Sequence, residues 1–269
     1  MTSSRFSALA VALTLTAALA GGCKEDKDHE PTTGSGTFSL EIDNVVGTQP
    51  LTLDTQTYTT PAGDNFTVGT FKYYLSNVAL LRADGSAQAV PDTYFLVDAE
   101  KPASTTLQLP AVPAGDYTGL RFVVGVDSAR TKAGNYTGVL TAENNMFWTM
   151  NGPEFINLKL EGTSPQSPTT ALTFHVAGFR GANGTRNSIR TVTLPFANDA
   201  RLLVRAGHTP AIHLKADVLG LFGNPHPVRF ATVSRVKSTN PPAGGFSTMK
   251  MADNLAAGMF KIDHIHNSH

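Results

Sequence analysis

The chain reads as an all-β protein: an antiparallel β-sandwich-like single domain with long loops. Three observations predict this. Apolar and polar residues alternate over short runs, turn residues punctuate those runs, and helical periodicity is weak. Thr37–Val46 places Phe38, Leu40 and Ile42 against polar neighbours, the period of two that a half-buried strand needs. Phe66–Leu81 is a long β-rich stretch closed by the turn signal Ala83-Asp84-Gly85. Thr93–Val97, Thr105–Leu109 and Tyr117–Val126 come next, the last entered through Pro113-Ala114-Gly115-Asp116. Glu154–Glu161, Ala171–Phe179, Ser188–Phe196 and Ala211–Leu219 continue the series. Short helices are expected near Asp199–Ala206 and Met251–Phe260. Gly134–Asn145 and Arg180–Asn187 read as loops, and Pro225–Gly245 as a Pro- and Gly-punctuated excursion. Many short strands joined by such turns give a sandwich or a partly open barrel.

The domain is expected over residues 37–269, behind a signal peptide at 1–22 and a disordered tether at 23–36. Arg5 is the only charge before Lys24, an apolar run spans Phe6 to Leu19, and small residues fill Ala17 to Gly22. These are the parts of a secretory signal, and the run falls short of the roughly 20 residues of a membrane span. Leu19-Ala20-Gly21-Gly22-Cys23 resembles a lipobox with its leucine one place early. Lipid on Cys23 would make the mature chain an outer-membrane lipoprotein, periplasmic or surface-exposed, held to the membrane by that anchor. Plain secretion with an incidental cysteine is the alternative, and Cys23 being the only cysteine weighs against it. Lys24–Gly36 (KEDKDHEPTTGSG) has no apolar face to bury. Its Lys24-Glu25-Asp26 either resembles a surface-export signal or is an ordinary solvated tether.

Formal net charge is zero, so nothing points to nucleic acid. A single cysteine allows no internal disulfide, and with lipid on Cys23 the mature domain would have no free thiol, which excludes thiolate catalysis and cysteine-ligated zinc or blue-copper sites. There is no Cys-x-x-Cys-His for covalent haem, and no Gly-x-Ser-x-Gly, His-Glu-x-x-His or phosphate loop. Asp127-Ser128 and Glu161 could be drawn into a triad with a histidine, as in any large domain. Binding without catalysis is the expectation.

The remaining chemistry lies in methionine, tryptophan and histidine. Met146 and Met150 flank Trp148, the only tryptophan, while Met249, Met251 and Met259 precede Asp263-His264-Ile265-His266-Asn267-Ser268-His269. Thioether and imidazole without thiol suit copper better than magnesium or calcium. Each feature has a plainer reading. Methionines beside a tryptophan are commonly core packing, and His264 and His266, which share a face if extended, could be a solvated tail. In Phe174-His175-Val176 and Ile212-His213-Leu214 the apolar neighbours face the core, so each histidine points to the opposite side. A surface or hydrogen-bonded histidine is the bland expectation for both. His208 and His226 sit beside turn signals.

Several segments together resemble the MbnP-like family of copper-binding proteins associated with methanobactin systems. They are Phe71-Lys72-Tyr73-Tyr74-Leu75-Ser76-Asn77-Val78, Gly115-Asp116-Tyr117, Gly125-Val126-Asp127-Ser128 and Met146-Phe147-Trp148-Thr149-Met150-Asn151-Gly152. Ile156 to Gly162 (INLKLEG), Phe174-His175-Val176-Ala177-Gly178, and the end with Met259-Phe260-Lys261 and His264-Ile265-His266-Asn267 complete the set. The resemblance covers Thr37 to about Asn267. It implies an exported, β-rich, copper-binding protein in which a tryptophan is oxidised to kynurenine by a partner di-haem enzyme of the MauG/cytochrome c peroxidase type. Trp148 is the only residue open to that conversion. The family pattern reads Phe-Trp-x-Trp here and this chain has Met150 at the second position; if the second tryptophan is the one modified, no kynurenine forms. The metal candidates are therefore His175, His213 and Trp148, with His264 and His266 closing that site or forming a second one. A TonB-dependent transporter is a further expected partner. Competing readings are a non-metal adhesion or polymer-binding lipoprotein and a secreted hydrolase with a scattered site.

Overall fold

The computed structural model describes residues 1, 33–148, 154–179, 186–237, 241 and 245–267. The expected signal peptide after Met1, Cys23, most of the tether, Met150 and His269 lie outside the described residues. In chain order the strands are β1 (Ser35–Val46), β2 (Gln49–Pro50), β3 (Tyr58–Thr59), β4 (Asn65–Leu81), β5 (Ala87–Ala89), β6 (Tyr94–Asp98), β7 (Thr106–Pro113), β8 (Gly115–Tyr117) and β9 (Gly119–Val124). After helix α1 (Ser128–Ala133) come β10 (Phe147–Trp148), β11 (Glu154–Thr163), β12 (Ala171–Ala177), β13 (Arg190–Pro195), β14 (Leu202–Val204), β15 (Ala211–Asp217) and β16 (Arg235–Val236). Helix α2 (Thr248–Gly258) and β17 (Phe260–His266) finish the fold.

Two sheets hold the domain, as the alternating pattern predicts. In the first, β17, β15 and β1 lie side by side, with β7 and β2 on the far edge of β1. In the second, the order is β13-β9-β4-β11-β12-β16, and β6 and β5 also pair β4. The inner faces meet in one core. Phe38, Leu40, Ile212 and Leu214 from the first sheet pack with Phe71, Tyr73, Phe122, Leu158 and Phe174 from the second. Phe260 on β17 touches Tyr73 and Phe122 with ring centroids 5.7 and 5.1 Å apart, and the Tyr73 hydroxyl donates to Asn44 Oδ1 at 2.9 Å. Each such side chain contributes about 1.5–3 kcal/mol through burial.

The outer face of the second sheet carries a second, smaller core of Tyr74, Leu96, Met146, Phe155, Ile156 and Ala177, among others. Phe155 is its hub, with edge-on rings of Tyr74, Tyr136 and Phe147 at 5.6, 5.0 and 5.0 Å. The segment from Val126 to Trp148 builds this cover. It leaves β9 through Gly125, where φ is +118° and a Cβ would stand 2.4 Å from Asn157 Oδ1, so only glycine fits. Asp127 then caps α1 by accepting from the Arg130 amide at 2.9 Å.

Four details differ from the sequence reading. The sheets are mixed, not purely antiparallel: β1 runs parallel to β15, and β12 to β16, because long connections let strands distant in sequence pair in either sense. β1 begins at Ser35, two residues earlier, since Ser35 and Gly36 pair Pro113 and Val112. The helix expected near Asp199–Ala206 is strand β14, whose buried Leu202 and Val204 alternate and pair β8. The other expected helix is present as α2, capped by Ser247 and burying Met251, Ala252 and Leu255, but it stops at Gly258. The residues beyond it form β17 rather than a tail, and this strand pairs antiparallel with β15.

Candidate functional site

His175 sits on β12 between Phe174 and Val176, which enter the main core. Alternation turns its ring to the outer face, where the second core covers it, and it is 5% exposed. Lys159 is its cross-strand partner on β11, so Glu161 lies diagonally, two residues along the same face. His175 Nε2 and Glu161 Oε1 are 2.7 Å apart. An ionised carboxylate only accepts, so Nε2 carries the proton and Nδ1 the lone pair. Nδ1 is buried and has no hydrogen-bond partner among the described residues.

Trp148 ends β10, which is hydrogen-bonded to β11 in the register Phe147–Phe155 and Trp148–Glu154. That pairing brings the half-buried indole against the imidazole: the ring centroids are 6.1 Å apart and inclined by 47°. Glu154 Oε1 accepts the Phe179 amide at 3.1 Å, and Lys159 Nζ donates to the Asn145 carbonyl at 3.0 Å, fixing both flanks. Burial pushes the His175 pKa below its ordinary value; the Glu161 carboxylate opposes this and the Lys237 charge reinforces it. Burial works to raise the Glu161 pKa, but the His175 hydrogen bond and Lys159 bring it down overall. The resulting pair is a neutral imidazole and a carboxylate at neutral pH.

His213 does not join this pair. Its neighbours Ile212 and Leu214 enter the same core from the first sheet, so its ring points to the opposite outer surface of the sandwich. There it stacks on His264, its register partner on β17, at 4.0 Å and 13° between planes. Glu41 on β1 is the partner on its other side, with Oε2 3.5 Å from His213 Nε2. His266 lies on the same strand as His264, opposite Ala211, and is exposed. His226 is bound to Asp253 at 3.2 Å, away from both groups in the chain's pairing. Met146, Met251 and Met259 are fully buried in the two cores, which is the packing role rather than a ligand role.

The sequence reading named Glu161 only as a fragment of a triad and missed it as the partner of His175. The signal available was the pairing of β11 with β12, since Glu161 shares a face with Lys159 and hence with His175. Glu41 was also missed, because strand register alone brings it beside His213; Asp263 was missed because strict alternation would turn it away from the face of its neighbour His264, which the bulge in β17 prevents.

A family model described as MbnP matches residues 35–240. Among solved structures, MbnP from Methylosinus trichosporium is similar, with a TM-score of 0.47 and 14% identity over 70% of this chain and 77% of that one. No curated protein sequence matches. The family match takes in Trp148, Glu161 and His175 and ends before α2 and β17.

Proposed function

This chain belongs to the MbnP family, and on that premise we propose that it binds copper, for acquisition or handling, at His175 and Trp148. We propose further that it is exported and tethered to the outer membrane through lipid on Cys23. The observation that carries the metal reading is His175. It is a buried, neutral imidazole with one nitrogen held by Glu161 and the other without a partner among the described residues, beside the only indole of the sequence. A carboxylate on the far nitrogen sets the tautomer, orients the ring and raises its basicity as a ligand, and neutral imidazole is the form that binds metal.

The donor chemistry fits copper once Trp148 is modified. The indole nitrogen lone pair belongs to the ring, so the encoded side chain is a poor ligand. Oxidation that places one oxygen atom on C2 and one on C3 breaks the C2–C3 bond and opens the ring to an N-formyl aryl ketone. Hydrolysis then releases formate and leaves the arylamine and ketone of kynurenine. The step balances against two equivalents of hydrogen peroxide, which take the four electrons and leave as water, at an external di-haem enzyme of the MauG/cytochrome c peroxidase type; this chain has no Cys-x-x-Cys-His to hold a haem covalently. Trp148 is half-buried, which leaves part of the ring open to a docked partner. A TonB-dependent transporter is the expected route for the cargo across the outer membrane. On this reading the chain's own residues hold and orient the ion, and the protein acts by binding rather than by catalysis. The adhesion reading lacks support, since Met1 is the only large apolar side chain fully exposed among the described residues.

The test is intact mass of the protein produced with and without the di-haem oxidase, followed by copper titration of both. A change confined to the Trp148 peptide, with tight binding only after it, is expected. Tight binding with Trp148 unmodified would remove the tryptophan step. Trp148→Phe should fold, fail to gain the mass change and fail to reach high affinity.

A further inference from the structure

The row of side chains on the outer face of the first sheet is unexplained by the site above. His213 on β15 is the register partner of Glu41 on β1 on one side and of His264 on β17 on the other. Neighbouring strands lie about 4.8 Å apart, so the three side chains stand in one line. A bulge in the β15–β17 pairing, between His213 and Leu214, makes Asp263 the extra residue of β17 and turns both Asp263 and His264 outward. Asp263 Oδ2 then lies 3.0 Å from His264 Nδ1, and Lys215 holds its other oxygen. With Nδ1–H donating to Asp263, His264 presents its Nε2 lone pair. On the other flank, Ser39 Oγ donates to Glu41 Oε1 at 3.4 Å and leaves Oε2 facing His213 Nε2 at 3.5 Å.

We infer a second metal site on this face, in which His213, His264 and Glu41 bind a divalent cation of borderline softness, Zn2+ or Cu2+, with Asp263 orienting His264. Two imidazoles and a carboxylate suit such ions and disfavour both Cu(I), which prefers softer donors, and Mg2+, which prefers oxygen. Among the described residues no three ligand atoms yet converge on a point, so binding requires these side chains to move. The stacked rings are 4.0 Å apart, whereas two nitrogens on one tetrahedral ion, with bonds of about 2.0–2.1 Å, lie about 3.3 Å apart. In the proposed site the stack opens like a fan to bring the two imidazole nitrogens onto one ion, and Glu41 reaches it across β15 from the side of His213. The side chains of Glu41, His213 and His264 are 42%, 26% and 56% exposed, and exposed side chains make such motions in picoseconds to nanoseconds. The backbone is already fixed by the sheet, so little order is lost on binding.

The test is calorimetric titration with Zn2+ alone, which is redox-silent, on the full chain carrying both Trp148→Phe and His175→Ala. That background disables the first site, so the two proposals fail separately. One equivalent should bind, and the histidine ring signals of His213 and His264 should shift in NMR. Adding His213→Ala and His264→Ala together should abolish the binding with an unchanged melting temperature, as neither side chain enters the core. Asp263→Asn should weaken it by about ten- to a hundredfold, the usual cost of losing an outer partner. Absence of Zn2+ binding in the background chain, or undiminished binding after the two histidine substitutions, would overturn the inference.

Discussion

His175 and His213 occupy the same local pattern, an imidazole between two core-facing apolar residues on a strand, and they finish in opposite surroundings. His175 is 5% exposed, and its buried Nδ1 has no partner among the described residues. His213 keeps a quarter of its side chain in solvent and stacks on a second histidine. Alternation decides only that each ring leaves the core. What covers the ring afterwards is decided by a different part of the chain. Over His175, Val126 to Trp148 folds back and brings its own aromatic cluster; over His213 no comparable segment folds among the described residues. The same residue type is thus a dehydrated imidazole on one face and an accessible one on the other.

The largest effect should come from removing the cover. Phe155→Ala empties the hub of the second core, and a buried Phe→Ala change costs about 3–5 kcal/mol. Denaturant unfolding should record that loss, and hydrogen exchange should show it concentrated in residues 126–148 and β12. An equal loss of protection across β15 and β17 would mean that the two faces are not independent.

Glu161→Gln should come next. It keeps the volume and removes the charge that holds His175, so copper affinity of the oxidised protein should fall by about ten- to a hundredfold. The same change at Glu41 should leave that affinity alone.

A smaller effect is expected from pH. His175 has a folded pKa below its ordinary 6.5, so between that folded value and 6.5 the unfolded chain binds more protons than the native one. Stability therefore falls as pH drops from about 6.5 towards the folded pKa, with no further loss from this group below it. Glu161 adds to the loss at lower pH: its folded pKa lies below 4.5, and its contribution is present above that value and disappears as pH falls through the folded pKa. His175→Gln should flatten the upper part of the profile, read from melting temperature across pH 7 to 4. An unchanged slope would mean that His175 is charged in the native state.

The smallest effect belongs to the open face. His213→Ala should change stability by no more than about 0.5 kcal/mol, as surface substitutions do.

Much of the scaffold was legible in the sequence because burial imposes a period of two. β1, β4, β9, β11, β12, β13 and β15 all fall where alternation predicts them. β17 was not legible: Asp263 and His264 face outward in succession, which breaks the alternation, and the segment becomes a strand because the edge of β15 needs a partner. β14 is three residues long and owes its existence to β8 in the same way. For the site, the sequence and its family resemblance supplied the residue types, Trp148 and His175 among them. It did not supply their separation or the burial of His175, which depend on the return of β10 onto β11. Cys23 and Met150 lie outside the described residues, so lipidation and any thioether contribution rest on the sequence alone.

The most direct measurement is copper affinity of the protein after treatment with the di-haem oxidase, compared between His175→Ala and His213→Ala. Loss of more than about a hundredfold in His175→Ala, beyond the cost of losing an outer partner, with His213→Ala unchanged at the tightest site, is the expected result. Tight binding retained in His175→Ala would contradict the assignment of the buried histidine beside Trp148 as the copper ligand.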